Sequence, residues 1–429
     1  MINNLGRIKG LRWLLTMVLP VVFITSCSSR YNSMSSSFKM IANNPLKAQD
    51  GGFNQAAWEG MLKVDSNLNE ALDVLYPDTQ DDPNMITPAI TKTIDDGYLV
   101  AVVLPGFTYV KTVLQPNFFD VYNNTYFLTV DLTVYEMIKS LNTKAVDKYY
   151  EISVDESKPG FAAAVDVAGQ ILQRFKVDKD NMGLSVIKNG DNITVKMTGI
   201  GGLNIPAIKN YMIGFNKGLR WFSDNILAND IDAKGDKLRF EWFAGTFNGG
   251  FGTNDAIKAA QTNTNNAINN NVGVIFNISV PEGNTILKQI AAANANTWFV
   301  GVDVDQANDK NLAGYKHLIK SSALKDVSFA VKTVLDAINY RIKNNNAIDY
   351  ENEYSTPGTK SFIWEETKQV SLVPMNGKDF DNFYRERVGN DKLVALKKAL
   401  AISVEDLRKC NGTNMLGDIA NESVCEEAK

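Results

Sequence analysis

Asp50-Gly51-Gly52-Phe53-Asn54-Gln55-Ala56-Ala57-Trp58-Glu59-Gly60 is the stretch from which the architecture of this chain can be read. Asp50, Gly51 and Gly52 form a turn soon after a short apolar run at 38–42. The apolar spacing of Phe53, Ala56, Ala57 and Gly60 then opens a helix that runs to about Val64. The order is strand, flexible loop, helix, with an aromatic ring and an amide at the helix N-terminus. In such a unit the first backbone N–H groups point into a crevice where ligands bind. From the residues alone, Phe53 reads either as a ligand-facing ring or as a staple closing the first helical turn.

The same alternation continues along the chain. Residues 98–104 (Y-L-V-A-V-V-L) form a continuous apolar run of strand length, as suits a strand buried on both faces of a parallel sheet. Residues 126–131 (Y-F-L-T-V-D) and 298–303 (W-F-V-G-V-D) are strands that each end in a carboxylate. Further strands are expected at 149–154, 193–200, 237–243 and 272–278, and extended chain at 317–321 and 361–373. Helices are expected at 88–95, 160–175, 206–222 with Pro206 in its first turn, 255–269, 282–294 and 327–342, and a tight turn at Asn189-Gly190. Strands and helices at this interval indicate an α/β protein of two units of similar plan, with a break near 155–159.

Composition narrows the chemistry. The chain has 429 residues, 45% hydrophobic and 21% charged, enough for about two or three domains. A net charge of −4 offers no basic face for nucleic acid. The single histidine, His317, reads as a surface or strand-edge residue, which argues against a Ser-His-Asp triad and a histidine-rich metal site. No nucleophile–base pair or metal cluster can be named, so an enzyme is not expected and nothing implies a cofactor.

The N-terminus reads as an address. Arg7, Lys9 and Arg12 precede an apolar run at 13–24, followed by small residues and Cys27. This is a secretion signal, and no later run of about 18 or more apolar residues marks a membrane span. Ile24-Thr25-Ser26-Cys27 resembles a bacterial lipobox, which implies cleavage after residue 26 and lipidation of Cys27. Residues 27–37 would be a tether, and the body would lie on the extracytoplasmic face of the cell membrane. Cys410 and Cys425 either close a small disulfide loop or stand as free thiols.

Taken together, the loops resemble the basic membrane protein family, the PnrA-like nucleoside-binding lipoproteins of ABC transporters. The family's D-x-S-F-N-Q appears as Asp50-Gly51-Gly52-Phe53-Asn54-Gln55, with Gly52 in place of serine. Its G-V-D-x-D-Q appears as Gly301-Val302-Asp303-Val304-Asp305-Gln306, and its T-S-x-x-K as Ser321-Ser322-Ala323-Leu324-Lys325. The resemblance covers roughly residues 38–375 and is scattered rather than continuous.

The resemblance implies a type I periplasmic-binding-protein fold, two Rossmann-like lobes joined by a hinge. Lobe 1 would span 38–156, lobe 2 157–326, a return to lobe 1 327–375, and an extension 376–429. It implies a purine nucleoside (guanosine, inosine or adenosine) as ligand and an ABC permease as partner. By position, Phe53 and Phe247 would sandwich the base, and Asn54 and Asp131 would contact it. Asp303 would hold the ribose hydroxyls, with Lys325 as its companion. Asn44 stands where the family often has Asp, and Ser279-Val280-Pro281-Glu282-Gly283-Asn284 replaces a glycine-rich loop.

The residue types suit that ligand. Two rings grip a flat heterocycle, carboxylate and amide groups meet its polar edge, and one carboxylate accepts two ribose O–H bonds. Each residue also has a structural reading: Phe53 and Phe247 as core rings, Asp131, Asp303 and Asn54 as helix caps, Lys325 as a solvated side chain. A sugar or another small solute on the same fold, or a surface adhesin without transport, remain the alternatives.

Overall fold

The computed structural model describes residues 38–76, 86–91, 101–132, 134–141, 146–233, 237–345, 352, 354 and 356–362. The signal segment, Cys27 and its tether, the extended chain expected beyond residue 362, the Cys410–Cys425 pairing and the extension from 376 lie outside the described residues.

Two sheets form, one per lobe. The first contains β1 (Phe38–Ile41), β2 (Val74–Leu75), β3 (Ala101–Pro105), β4 (Tyr126–Val130), β5 (Tyr149–Val154) and β13 (Gly358–Phe362). Its order is β13-β5-β4-β3-β1-β2, and every pairing is parallel. The A-V-V-L-P of β3 and the Y-F-L-T-V of β4 are buried throughout, as central strands covered on both faces must be. On one face, Met40, Val103, Leu128 and Tyr150 pack with helices α1 (Phe53–Val64) and α6 (Val327–Lys343). On the other, Val102, Phe127 and Tyr149 pack with Phe118 and Phe119.

The second sheet contains β6 (Ile187–Asn189), β7 (Asn192–Gly201), β10 (Val272–Ile278), β11 (Trp298–Asp303) and β12 (Ile319–Leu324) in the order β12-β11-β10-β7-β6. Strands β8 (Leu238–Trp242) and β9 (Thr246–Phe247) both pair with β7, the second at its Ile200–Gly201 end. The β6–β7 pair is antiparallel, and its turn carries Gly190 at a φ of 60°, where Gly avoids a Cβ clash. Helices α2 (Ser157–Val177) and α3 (Pro206–Asn225) cover one face. Helices α4 (Asn254–Asn269) and α5 (Gly283–Ala292) cover the other. Thr253 caps α4 by accepting a bond from the Ala256 N–H, and Pro206 opens α3 without wasting a donor.

Within the described residues the chain passes between the lobes twice. It leaves the first sheet after β5 and enters α2 through Asp155–Glu156. It returns from β12 to α6 through Lys325–Asp326. The C-terminal ends of both parallel sheets therefore face a shared crevice beside these two crossings. Among the described residues no helix is long and apolar enough to cross a membrane.

Candidate functional site

The crevice encloses about 620 Å³, part of it open solvent. Lobe 1 lines it with Asn43, Asn44, Asp50, Phe53, Phe107 and Asp131. Lobe 2 lines it with side chains from the start of α3, the ends of β10 and β11, and Phe251, while Lys325 stands at the crossing.

The loop before α1 is built around Asp50. One carboxylate oxygen accepts the backbone N–H groups of Gly52 and Gln55, each at 3.0 Å. The other accepts the Asn54 backbone N–H at 3.0 Å and the side-chain amides of Asn44 and Asn54 at 3.0 and 2.8 Å. A carboxylate here satisfies the helix's orphan donors and complements its dipole. This corrects the expectation that those N–H groups are free for a ligand: the chain's own carboxylate takes them. Asn54 is fully buried and does not line the cavity. Its side chain bonds Asn43 and Asp50, so it braces the loop instead of facing solute. Asn44 does line the cavity, with its amide donated to Asp50 and Asn43 and its oxygen accepting the Leu46 N–H.

Asp131 and Asp303 occupy equivalent places, just past β4 and at the end of β11. Both have left-handed backbones, φ 63° and 65°. Such values are tolerated best by Asp, Asn and Gly. Asp303 accepts the Tyr211 hydroxyl at 2.9 Å. Burial pushes the Asp303 carboxyl up to about 6, against the opposing pull of Lys325. Tyr211 is buried one turn into α3, and burial followed by the Asp303 charge drives its hydroxyl well above the ordinary value.

Lys325 joins the lobes. Its ammonium donates to Asp131 Oδ2 and lies 4.0 Å from carboxylate oxygens of both Glu156 and Asp303. It also lies 5.0 Å from the Phe53 ring centroid and 5.7 Å from that of Tyr211. Burial alone would lower its pKa, but Asp131, Asp303 and Glu156 together outweigh that and hold it above the ordinary lysine value. Asp131 Oδ1, in contrast, is buried without a hydrogen-bond partner. An unpaired buried carboxylate oxygen is costly, and a ligand donor would relieve the cost.

The structure therefore brings Asn44, Phe53, Asp131, Asp303 and Lys325 to one cavity and leaves Asn54 and Phe247 outside its lining. Phe247 lies in β9, opposite Gly201 of β7, and packs half-buried on the lobe 2 core. The lobe 2 ring in the cavity is Phe251, four residues on. It rests over Gly202, whose missing side chain makes room for it. The next residue, Gly252, donates its N–H at 2.6 Å to Glu282, a buried acid that also bonds Ser279. Sequence reasoning also missed Tyr211 and Glu156. A tyrosine one turn into a helix aimed at the crevice, and an acid at the expected break between lobes, were the available signals.

No protein-family model matches the chain. An uncharacterized lipoprotein of Mycoplasma genitalium is 26% identical over 225 residues, covering 42% of this chain and 37% of that protein. The match thus spans little more than a third of the relative's length. Among solved structures, an ABC transporter solute-binding protein from Aeropyrum pernix K1 superposes with a TM-score of 0.54 at 14% identity. That superposition covers 85% of this chain and 89% of the other. The chain has a two-lobed α/β fold of the type I periplasmic-binding-protein kind. A second solute-binding protein, from Conexibacter woesei DSM 14684, gives a TM-score of 0.48 at 16% identity, over 86% and 97% of the two chains.

Proposed function

We propose that this protein is a lipid-anchored receptor on the extracytoplasmic face of a membrane, which captures purine nucleosides between its lobes and delivers them to an ABC permease. The observation that carries the reading is the cavity itself. It is lined by a lobe 1 ring, Phe53, a lobe 2 ring, Phe251, and Asp131, whose carboxylate has one buried oxygen without a hydrogen-bond partner. Rings contributed by both lobes suit a flat heterocycle, whose burial then favours closure. Asp131 Oδ1 suits an N–H donor on the base edge, and Asp303 beside Tyr211 suits a ribose diol. Carboxylates outnumber the single ammonium of Lys325, which disfavours a phosphate and so disfavours nucleotides. The lipobox at Cys27 supports the anchor, as does the name of the mycoplasmal relative. The permease partner follows the solute-binding protein of Aeropyrum pernix.

The test is titration calorimetry with guanosine, inosine and adenosine, on protein lacking residues 1–27. At least one nucleoside is expected to bind with micromolar or tighter affinity, and the matching 5′-monophosphate to bind far more weakly. Heat from ribose or another sugar, with none from any nucleoside, overturns the nucleoside reading.

A further inference from the structure

The cavity residues do not use one buried acid. Glu156 sits on the first crossing between the lobes and Lys325 on the second, with 4.0 Å between their charged atoms. Asp131 of lobe 1 and Asp303 of lobe 2 complete the group around the same ammonium. The hinge thus gathers three carboxylates on one cation, and their side chains are 5%, 10% and 12% exposed against 2% for Lys325. Full ionisation would bury two uncompensated negative charges, an arrangement that proteins avoid by neutralising one group.

The surroundings of Glu156 decide which group is neutralised. From the second crossing it meets Lys325, and from the end of β4 it meets Asp131. From α3 it meets Asn210, whose amide donates to Glu156 Oε2 at 3.0 Å, and Tyr211, the hydrogen-bond donor to Asp303. On its own segment, Lys158 pairs with Asp155 at 4.0 Å. Lys325 donates directly to Asp131 and lies 4.0 Å from both Glu156 and Asp303, and of the three acids Glu156 is the least exposed, so burial penalises its charge most. Among the described residues no cluster of acids, cysteines or histidine is arranged to hold a metal ion.

We propose that the Glu156 carboxyl is a proton site built into the hinge, occupied while the lobes are together and emptied when they part, so that closing on a ligand takes up a proton. The ligand half of this statement rests on the capture reading above; the proton half does not. With the lobes as they stand here, burial, opposed by Lys325 and reinforced by the Asp131 charge, raises Glu156 to about 8. An exposed glutamate titrates at about 4.3. The sign follows: closure is favoured most below the ordinary carboxylate range, weakens as pH rises toward about 8, and is level above it. Asp303, raised to about 6, adds a smaller limb of the same sign at lower pH.

Two measurements on the full-length chain in mild detergent test this. Infrared difference spectra between pH 5 and pH 9 are expected to show a buried protonated carboxyl that disappears near about pH 8 and is missing from Glu156→Gln. Absence of that band from the wild-type chain, both alone and with saturating guanosine, overturns the proposal. Calorimetry with guanosine at neutral pH, in buffers of different ionisation heat, is expected to give uptake of close to one proton per complex. Affinity is expected to fall by about tenfold per pH unit between about 5.5 and 7.5. Glu156→Gln should remove the uptake and bind guanosine more tightly than wild type at pH 8. Guanosine binding without proton uptake overturns the coupling. A clear carboxyl band with no heat from guanosine upholds the proton site and sinks only the nucleoside reading.

Discussion

Lobe 1 meets the cleft mainly with Asn43, Asn44, Asp50 and Asp131, beside the rings of Phe53 and Phe107, and lobe 2 mainly with Ile205, Ile208, Phe251, Ile278, Val280, Pro281 and Val302, beside Tyr211, Ser279 and Asp303. One wall is mostly polar and held in place by its own hydrogen bonds; the other is mostly apolar and placed by packing. The polar wall is ordered through Asp50, which ties Asn44, Asn54 and three backbone N–H groups. Such preorganisation lowers the entropy lost on binding and fixes orientation. The apolar wall contributes burial, which favours closure without dictating a pose. The division predicts that substitutions of the polar cleft side chains change which ligand binds, and substitutions of the apolar ones change how tightly any ligand binds.

The strongest way to break this comparison is at the point where the walls meet. Lys325→Met keeps most of the side chain's volume but strands three buried carboxylates. Loss of one partner from a buried ion pair costs about 3–5 kcal/mol. Urea denaturation should register that loss, and guanosine affinity should fall by at least about a hundredfold. Near-wild-type stability in this variant would mean that the hinge charges are hydrated.

Phe53→Ala and Asp303→Ala come next, each expected to cost at least about 2 kcal/mol of guanosine affinity. They should differ in kind. Without the ring all nucleosides weaken alike. Without Asp303 the ribose end suffers, so the gap between guanosine and its 2′-deoxy counterpart should shrink. Equal behaviour of the two ligands in wild type and Asp303→Ala would remove the carboxylate from the sugar.

A smaller effect separates the two lobe 2 rings. Phe251→Ala should lower affinity by about 1.5 kcal/mol, while Phe247→Ala should cost about 1–2 kcal/mol of fold stability with little change in affinity. The pair also marks where sequence reading stopped. Between Gly245 and Gly252 both rings lie among glycines, and nothing local says which one turns toward the cleft. The choice is made at a distance, by β9 pairing with Gly201 and by Glu282 holding the Gly252 N–H. Asn54 escaped for a related reason: an amide at a helix start serves a ligand or a loop equally well until Asn43 and Asp50 are found beside it. The parallel strands, the helix at Phe53 and the acids after β4 and on β11 were legible, because apolar runs and helical periodicity are local properties. The charge cluster was legible only in part. Its members lie far apart in sequence, and Glu156 meets Lys325 only because both crossings run side by side.

The smallest expected effect concerns Gly52, the position at which the chain departs from the motif it otherwise resembles. A Cβ built on Gly52 would approach the Val280 methyls to 2.5 and 2.6 Å. Gly52 belongs to lobe 1 and Val280 to lobe 2, so the two departures from the motif, one in each lobe, fill the same space. Gly52→Ser should therefore leave each lobe's stability nearly unchanged, because the overlap exists only when the lobes are together. Overpacking of this size costs about 1 kcal/mol or somewhat more, which should appear as weaker guanosine binding. Val280→Ala in the same chain should restore most of that loss, and a double-mutant cycle measures the coupling directly. Additive effects of the two substitutions would mean that the walls do not touch at this point in the ligand-bound form.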